Sequence, residues 1–253
     1  MRTRENVFSL YPNLGYWLMG FIPLAIGGFY FSYFTQLQFS PRLIHVHFGF
    51  MALWMGIAIS QPLLIRYKKL SIHRAVGRLS YLVVPIVILS TWLVMKQGYA
   101  RQLADFESDF AQGIAPYAYA EGRIIIASYT AIGFVYLFWL VAFYALAVIF
   151  RKSPSIHARF MIAAALTFMG PTLDRILFFW FDLTTIGFGI SGMVISFFLI
   201  DLILMILLVG DIRKNKNPWP FLIALGLYFP LQAFYLTLTE TVGWEKFVNF
   251  VFN

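Results

Sequence analysis

Residues 124–150 read IIIASYTAIGFVYLFWLVAFYALAVIF, and the next two are Arg151 and Lys152. No Asp, Glu, Lys or Arg interrupts the run. Wound as a helix at ~1.5 Å per residue, it reaches about 40 Å. That exceeds the ~30 Å of hydrocarbon in a bilayer. Polar residues do not recur at every second position, as they would in an outer-membrane barrel strand. Lipid offers the backbone no hydrogen-bond partner, so the run predicts a transmembrane helix.

Six further runs of the same character flank it, near 15–34, 43–65, 79–97, 160–181, 186–209 and 221–238. Only a short turn near Asp182 and Thr184 separates the fifth span from the sixth. No cleavable signal peptide is read, because the first apolar run starts late and no small-residue cleavage site follows it. The expected fold is all-α: a polytopic transmembrane helix bundle of about seven spans forming one domain over 1–253. Composition agrees. The chain is 60% hydrophobic and 12% charged, against roughly 25% charged in a soluble domain. Aromatics fit as well, with Phe suited to the lipid-facing wall and Trp and Tyr to the headgroup belt.

Charge sets the orientation. Arg2, Arg4, Arg66, Lys68, Lys69, Arg74, Arg78, Arg151, Lys152, Arg159, Arg213, Lys214 and Lys216 all fall in segments on one side of a seven-span bundle. Only Glu5 and Asp211 oppose them there. Asp105, Glu107, Asp109, Glu121, Asp182, Glu240 and Glu245 fall on the other side. The positive-inside rule then puts the N-terminus in the cytoplasm and the C-terminus outside. The net charge of +8 needs no nucleic-acid partner; the partners it implies are membrane lipids, anionic at the cytoplasmic face. The chain has no Cys, which excludes disulfides, thiolate metal sites, Cys nucleophiles and Cys-anchored haem.

Two segments outside the spans have an apolar stripe. In 98–121, Leu103, Phe106 and Phe110 alternate with Asp105, Glu107 and Asp109. Near the C-terminus, Trp244, Phe247, Val248 and Val251 do the same. Each predicts an amphipathic helix on the outer surface, and 98–121 is also placed to act as a lid over an outward-facing cavity.

The segments before spans three and five share a pattern: Lys68-Lys69-Leu70-Ser71-Ile72-His73 and Arg151-Lys152-Ser153-Pro154-Ser155-Ile156-His157. Two duplicated hairpins in parallel orientation would give this. Ser71 and Ser155 are read as N-caps. His73, Arg74, Arg78, His157 and Arg159 then crowd two helix starts, where cations oppose the helix dipole. An anion or lipid phosphate bound there would offset that cost.

These residues carry a family resemblance. His73-Arg74-Ala75-Val76-Gly77-Arg78, and His157-Ala158-Arg159-Phe160-Met161 followed by a Leu-bearing helix ending in Asp174-Arg175, resemble the bacterial membrane family called domain of unknown function 2306. The resemblance covers about residues 40–180. It implies a polytopic protein, in a bacterial cytoplasmic membrane, with two His-bearing helix starts. It brings no reaction with it.

Span two opens with His45-Val46-His47, which point about 200° apart on a helix. His47, Met51, Trp54 and Gln61 share a face, with Gln61 near the inner end. Span five holds Asp174 and Arg175, about 24 Å from its cytoplasmic start and so near the outer interface. Pro171 after Gly170 is a candidate kink. Charges in a membrane are functional candidates because unpaired they are costly. Three readings stand: an Asp174–Arg175 structural pair, snorkelling to the outer headgroups, or an outer polar pocket of His45, His47, Asp174 and Arg175. Asp201 in span six is expected in the inner third, level with Gln61. Gln232 in span seven is a candidate partner for it.

Four function classes follow. The first is binding or transport of a small molecule or lipid through an interior polar pocket. The second is a redox protein binding haem b or quinone; only His73 and His157 lie on different helices at one depth. The third is a metal enzyme using His45, His47 and Asp174, which lacks any His-Glu-x-x-His or histidine-box motif, so no metal site is assigned. The fourth is an accessory subunit without its own chemistry. Substrate and oligomeric state are not encoded in any motif.

Overall fold

The computed structural model describes Phe8 and residues 10–252. Arg2, Arg4 and Glu5, which counted toward orientation, lie outside the described residues. The helices are α1 (Leu14–Met19), α2 (Phe21–Phe29), α3 (Arg42–Arg66), α4 (Leu70–Ala111), α5 (Tyr119–Ser128), α6 (Ala131–Ile149), α7 (Pro154–Leu166), α8 (Met169–Phe181), α9 (Val194–Arg213), α10 (Trp219–Leu238) and α11 (Val242–Phe252). Six stretches are long and apolar enough to cross a membrane: Arg42–Arg66, Leu70–Ala111, Tyr119–Ile149, Pro154–Phe181, Val194–Arg213 and Trp219–Leu238. The shorter apolar stretch Leu14–Phe29 packs beside them and is compatible with a seventh pass. The protein is an integral membrane helix bundle.

Three of these passes are interrupted. Gly20 separates α1 from α2. Between α5 and α6, the hydroxyls of Ser128 and Thr130 each donate to the carbonyl three residues back, at 2.7 Å, which tightens the turn. Between α7 and α8, Thr167 does the same to Ala164. Pro171 has no N–H to return to the Thr167 carbonyl, so the α-helical ladder lapses where the sequence foresaw a kink.

The Pro154–Phe181 stretch is the axis of the bundle. In its most apolar window 61% of residues are buried, against 22–33% for the other five. Ala163, Ala164 and Ala165 are all buried, and small side chains let neighbouring helices approach closely. Around them pack Trp54, Val84, Trp139, Phe143, Phe160, Phe197, Ile200 and Tyr228. Gly28 meets the Thr172 backbone so closely that a Cβ there would lie 2.6 Å from the Thr172 carbonyl oxygen. This contact seats α2 on α8.

Several expectations need correction. The segment 98–111 does not lie flat on the surface. It continues α4, whose 42 residues extend about 63 Å, roughly twice the hydrocarbon thickness. Its apolar stripe is covered by protein: Tyr99, Phe106, Ile126, Ala127, Trp244 and Val248 form a second core between α4, α5 and α11. Trp244 Nε1 donates to the Ala127 carbonyl at 2.9 Å, and Arg123 pairs with Glu245 at 3.0 Å. Both amphipathic segments bury their apolar faces mainly against α5. Leu103 packs at the edge of this core, while Phe110 stays exposed.

The turn at Asp182 is longer than expected. Residues 182–193 form a loop closed by a bridge between Thr185 and Ser191, and the sixth long span begins only at Val194. That shift moves Asp201. It lies seven residues from the outer end of α9 and twelve from the inner end, about 10 and 18 Å respectively. Asp201 is therefore in the outer half of the bundle, away from Gln61, which is five residues from the inner end of α3. Neither Ser71 nor Ser155 is an N-cap: α4 starts at Leu70 and α7 at Pro154, so both serines lie within the first turn.

Candidate functional site

Polar groups collect at both ends of the central α7–α8 stretch. At its outer half, Asp174 is 7% exposed, and Tyr136 of α6 donates to its Oδ2 at 2.6 Å. Gly170, one turn before Asp174, makes this bond possible. The Tyr136 ring occupies the space where a Cβ at 170 would stand. Ser196 of α9 is beside the carboxylate. Yet Asp174 Oδ1 and the Ser196 hydroxyl, both buried, have no hydrogen-bond partner among the described residues.

Deeper in the same interface, Trp139 packs on Tyr228 with centroids 4.0 Å apart and planes tilted by 48°. The buried Tyr228 hydroxyl likewise has no partner among the described residues. Gln232 donates to Asp201 Oδ1 at 3.1 Å. The pairing read from the sequence is present, in the outer half rather than the inner third.

Arg175 faces elsewhere. Successive helical residues point about 100° apart, so Asp174 meets α6 and α9 while Arg175 meets α2. The Arg175 guanidinium lies 4.8 Å from the Phe29 ring centroid and donates to its own helix at the Pro171 carbonyl, 2.9 Å away. No Asp174–Arg175 ion pair forms. His47 Nδ1 is 3.1 Å from Ser90 Oγ on α4, and His47 is within electrostatic reach of Arg175. His45 turns away to Tyr33, 3.0 Å from its hydroxyl. The four residues expected to share one outer pocket therefore divide: Asp174 meets Tyr136, Arg175 meets Phe29, His47 meets Ser90 and His45 meets Tyr33.

At the cytoplasmic end, Arg159 is fully buried and pairs with Asp211 of α9 through Nε at 2.6 Å. It also donates to the Ser155 carbonyl at 2.8 Å and to the Ser155 hydroxyl. Tyr11 donates to both Asp211 oxygens, at 3.2 and 3.1 Å. Arg159 therefore has a protein carboxylate as counter-charge. His73 and His157 approach each other nearby. Gln61 donates to the His73 carbonyl at 3.2 Å. His157 Nδ1 is 2.8 Å from the Ala147 carbonyl; a carbonyl only accepts, so Nδ1 carries the proton and Nε2 is left with its lone pair. Arg74 and Arg78 have no hydrogen bond or ion pair among the described residues.

A cleft of about 70 Å³ opens beside Tyr11, Pro62 and Arg66. A shallow groove of about 390 Å³ runs along α9 from Met205 to Arg213. Neither is lined by Asp174, Arg175, His45 or His47. Among the described residues no group of three or more His, Asp or Glu side chains could hold a metal ion. Sequence reading missed Tyr136, Ser196, Tyr228 and Ser90, because single hydroxyls in apolar runs carry no periodic signal. It counted Asp211 as a stray charge, although one acidic residue in a strongly basic flank was the available clue. No family model, no curated protein and no solved structure matches the chain.

Proposed function

We propose that the protein binds or transports a small molecule or lipid headgroup through an interior polar pocket, with Asp174 as the acceptor that recognises it. The observation that carries this reading is the buried Asp174 carboxylate, whose Oδ1 lacks a hydrogen bond of full geometry and has the Ser196 hydroxyl as its polar neighbour. A buried acceptor left unsatisfied costs about 1–3 kcal/mol, and more when charged. A ligand N–H or O–H facing Oδ1 removes that cost. The ligand class is therefore a hydrogen-bond donor, an ammonium or a polyol, with Ser196 and Tyr228 as further polar contacts. The membrane is a bacterial cytoplasmic one if the resemblance to domain of unknown function 2306 holds.

The test is thermal unfolding of the purified protein in neutral detergent against a panel of primary amines, quaternary amines and polyols. Saturable stabilisation by at least one class is expected. Asp174→Asn keeps the shape and removes the charge, and should weaken that response at least tenfold. A wild-type protein that responds to none of them, or a variant that responds equally, refutes the reading. An accessory subunit without chemistry of its own predicts that silence.

One observation favours a redox role as the second reading. His157 presents a free Nε2, and the neighbouring His73 has a buried Nδ1 with no partner among the described residues. His73 on α4 and His157 on α7 are the two imidazoles on different helices that a bis-histidine haem would use. The visible spectrum, air-oxidised and then dithionite-reduced, decides it. A Soret band that sharpens and shifts on reduction supports haem, and a colourless protein eliminates it.

A further inference from the structure

α9 has two faces. Ser196, Phe197, Ile200, Leu204, Leu208 and Asp211 are buried against the bundle. Phe198, Leu202, Met205, Ile206 and Val209 are exposed on the other side, toward lipid. The inner half of that exposed side is not a smooth ridge. It carries the groove of about 390 Å³ lined by Met205, Ile206, Val209, Gly210 and Arg213. Gly210 opens it. Residues three and four apart share a helix face, so Gly210 stands in line between Ile206 and Arg213. A Cβ at Gly210 would meet nothing within 4 Å. The missing side chain therefore leaves a notch that no neighbouring helix fills.

The two ends of the groove differ chemically. Met205, Ile206 and Val209 are apolar. Arg213 closes the cytoplasmic end and is the last residue of α9. It is exposed and has no hydrogen bond or ion pair among the described residues. The nearest acid in sequence, Asp211, is on the buried face and engaged by Arg159. Lys214, the next residue, is a second exposed cation. Met205 is eight residues from Arg213, about 12 Å along the axis. That is most of the ~15 Å hydrocarbon depth of one leaflet. An apolar channel of this length, ending in an unpaired guanidinium at headgroup level, matches an acyl chain and the phosphate tethered to it. A second copy of the chain fits less well. Two-fold symmetry about the membrane normal would set Arg213 against the same residue of the copy, like charge on like.

We infer that this groove binds an anionic phospholipid of the cytoplasmic leaflet. An acyl chain lies along Met205, Ile206 and Val209 and over Gly210, and the headgroup phosphate meets Arg213. The site does not depend on the Asp174 reading, because Asp174 is in the outer half of the bundle and the groove is at its inner end.

The test uses the whole protein in neutral detergent, equilibrated with equal amounts of phosphatidylglycerol and phosphatidylcholine of the same acyl chains. Native mass spectrometry counts the lipid retained. The wild type should retain phosphatidylglycerol in preference to phosphatidylcholine. Arg213→Gln should lower that preference about fivefold, the contribution of one cation beside an anionic headgroup. Gly210→Leu fills the groove and should remove one retained lipid; its side chain enters open space, so the fold is kept. Arg151→Gln removes another exposed cytoplasmic cation and should leave the preference unchanged. No preference in the wild type, an equal fall in Arg151→Gln, or unchanged retention in Arg213→Gln or Gly210→Leu overturns the inference. So does a dimer that Gly210→Leu dissociates, since a second copy would then fill the groove.

Discussion

Asp211→Ala lowers the stability of the detergent-purified protein by about 3–5 kcal/mol, the range for removing one partner of a buried ion pair. Arg159 and Asp211 are 2.6 Å apart, with side chains 0% and 3% exposed. Removing the carboxylate leaves a buried guanidinium that cannot neutralise itself by losing a proton. It also removes the two Tyr11–Asp211 hydrogen bonds, which are among the contacts holding the segment before α1. Reversible unfolding in a denaturing detergent titration measures the loss. The double variant Arg159→Met with Asp211→Leu should recover most of it, since apolar replacement of a buried pair is often neutral or better. Arg159→Lys alone should also destabilise, because an ammonium cannot bond Asp211 and Ser155 together as the planar guanidinium does. A loss under about 1 kcal/mol for Asp211→Ala, as seen for exposed pairs, would mean that water enters this end of the bundle.

Trp139→Ala costs a comparable amount, about 3–5 kcal/mol. Trp139 is fully buried. Its ring meets Tyr228, Tyr136 and Phe197 at centroid distances of 4.0, 5.7 and 5.7 Å. Its indole N–H donates to the Leu227 carbonyl at 3.2 Å, one residue type of bond worth about 1 kcal/mol net. Trp139→Phe separates the terms: it keeps most of the contact and loses the hydrogen bond. The effect should reach the Asp174 site as well. Trp139 packs against Tyr136, and Tyr136 holds Asp174 Oδ2, so Trp139→Ala should weaken the amine or polyol response along with stability. A variant that unfolds like the wild type would show that α6 and α10 close over the gap.

Membrane chemistry explains which parts of this arrangement were legible in the primary structure. Apolar runs such as 124–150 mark a span by length and composition alone, because hydrocarbon rejects charge and unsatisfied backbone wherever they occur. The Asp201–Gln232 bond was also legible: two polar groups within consecutive long apolar helices have few other partners. The depth of Asp201 was not. It depended on where α9 begins, and the apolar residues of 186–193, such as Ile186 and Phe188, gave no composition boundary between loop and helix.

The amphipathic stripes of 98–121 and the C-terminal segment were visible too, but a stripe says only that one face seeks apolar cover. Lipid and protein satisfy it equally, and the choice fell to α5 and α11, which are close in space and far apart in sequence. The outer pocket divided for a related reason. Adjacent residues on a helix diverge by about 100°, so Asp174 and Arg175 are neighbours in the chain and face different helices. Arg159 and Asp211 are 52 positions apart and meet in the core. The sequence alone determined that this chain is a membrane-spanning helix bundle, because each helix forms from its own residues in lipid. Only the tertiary structure decided which charges pair, which hydroxyls stay unpartnered and which faces are covered, because those outcomes are set by contacts between helices.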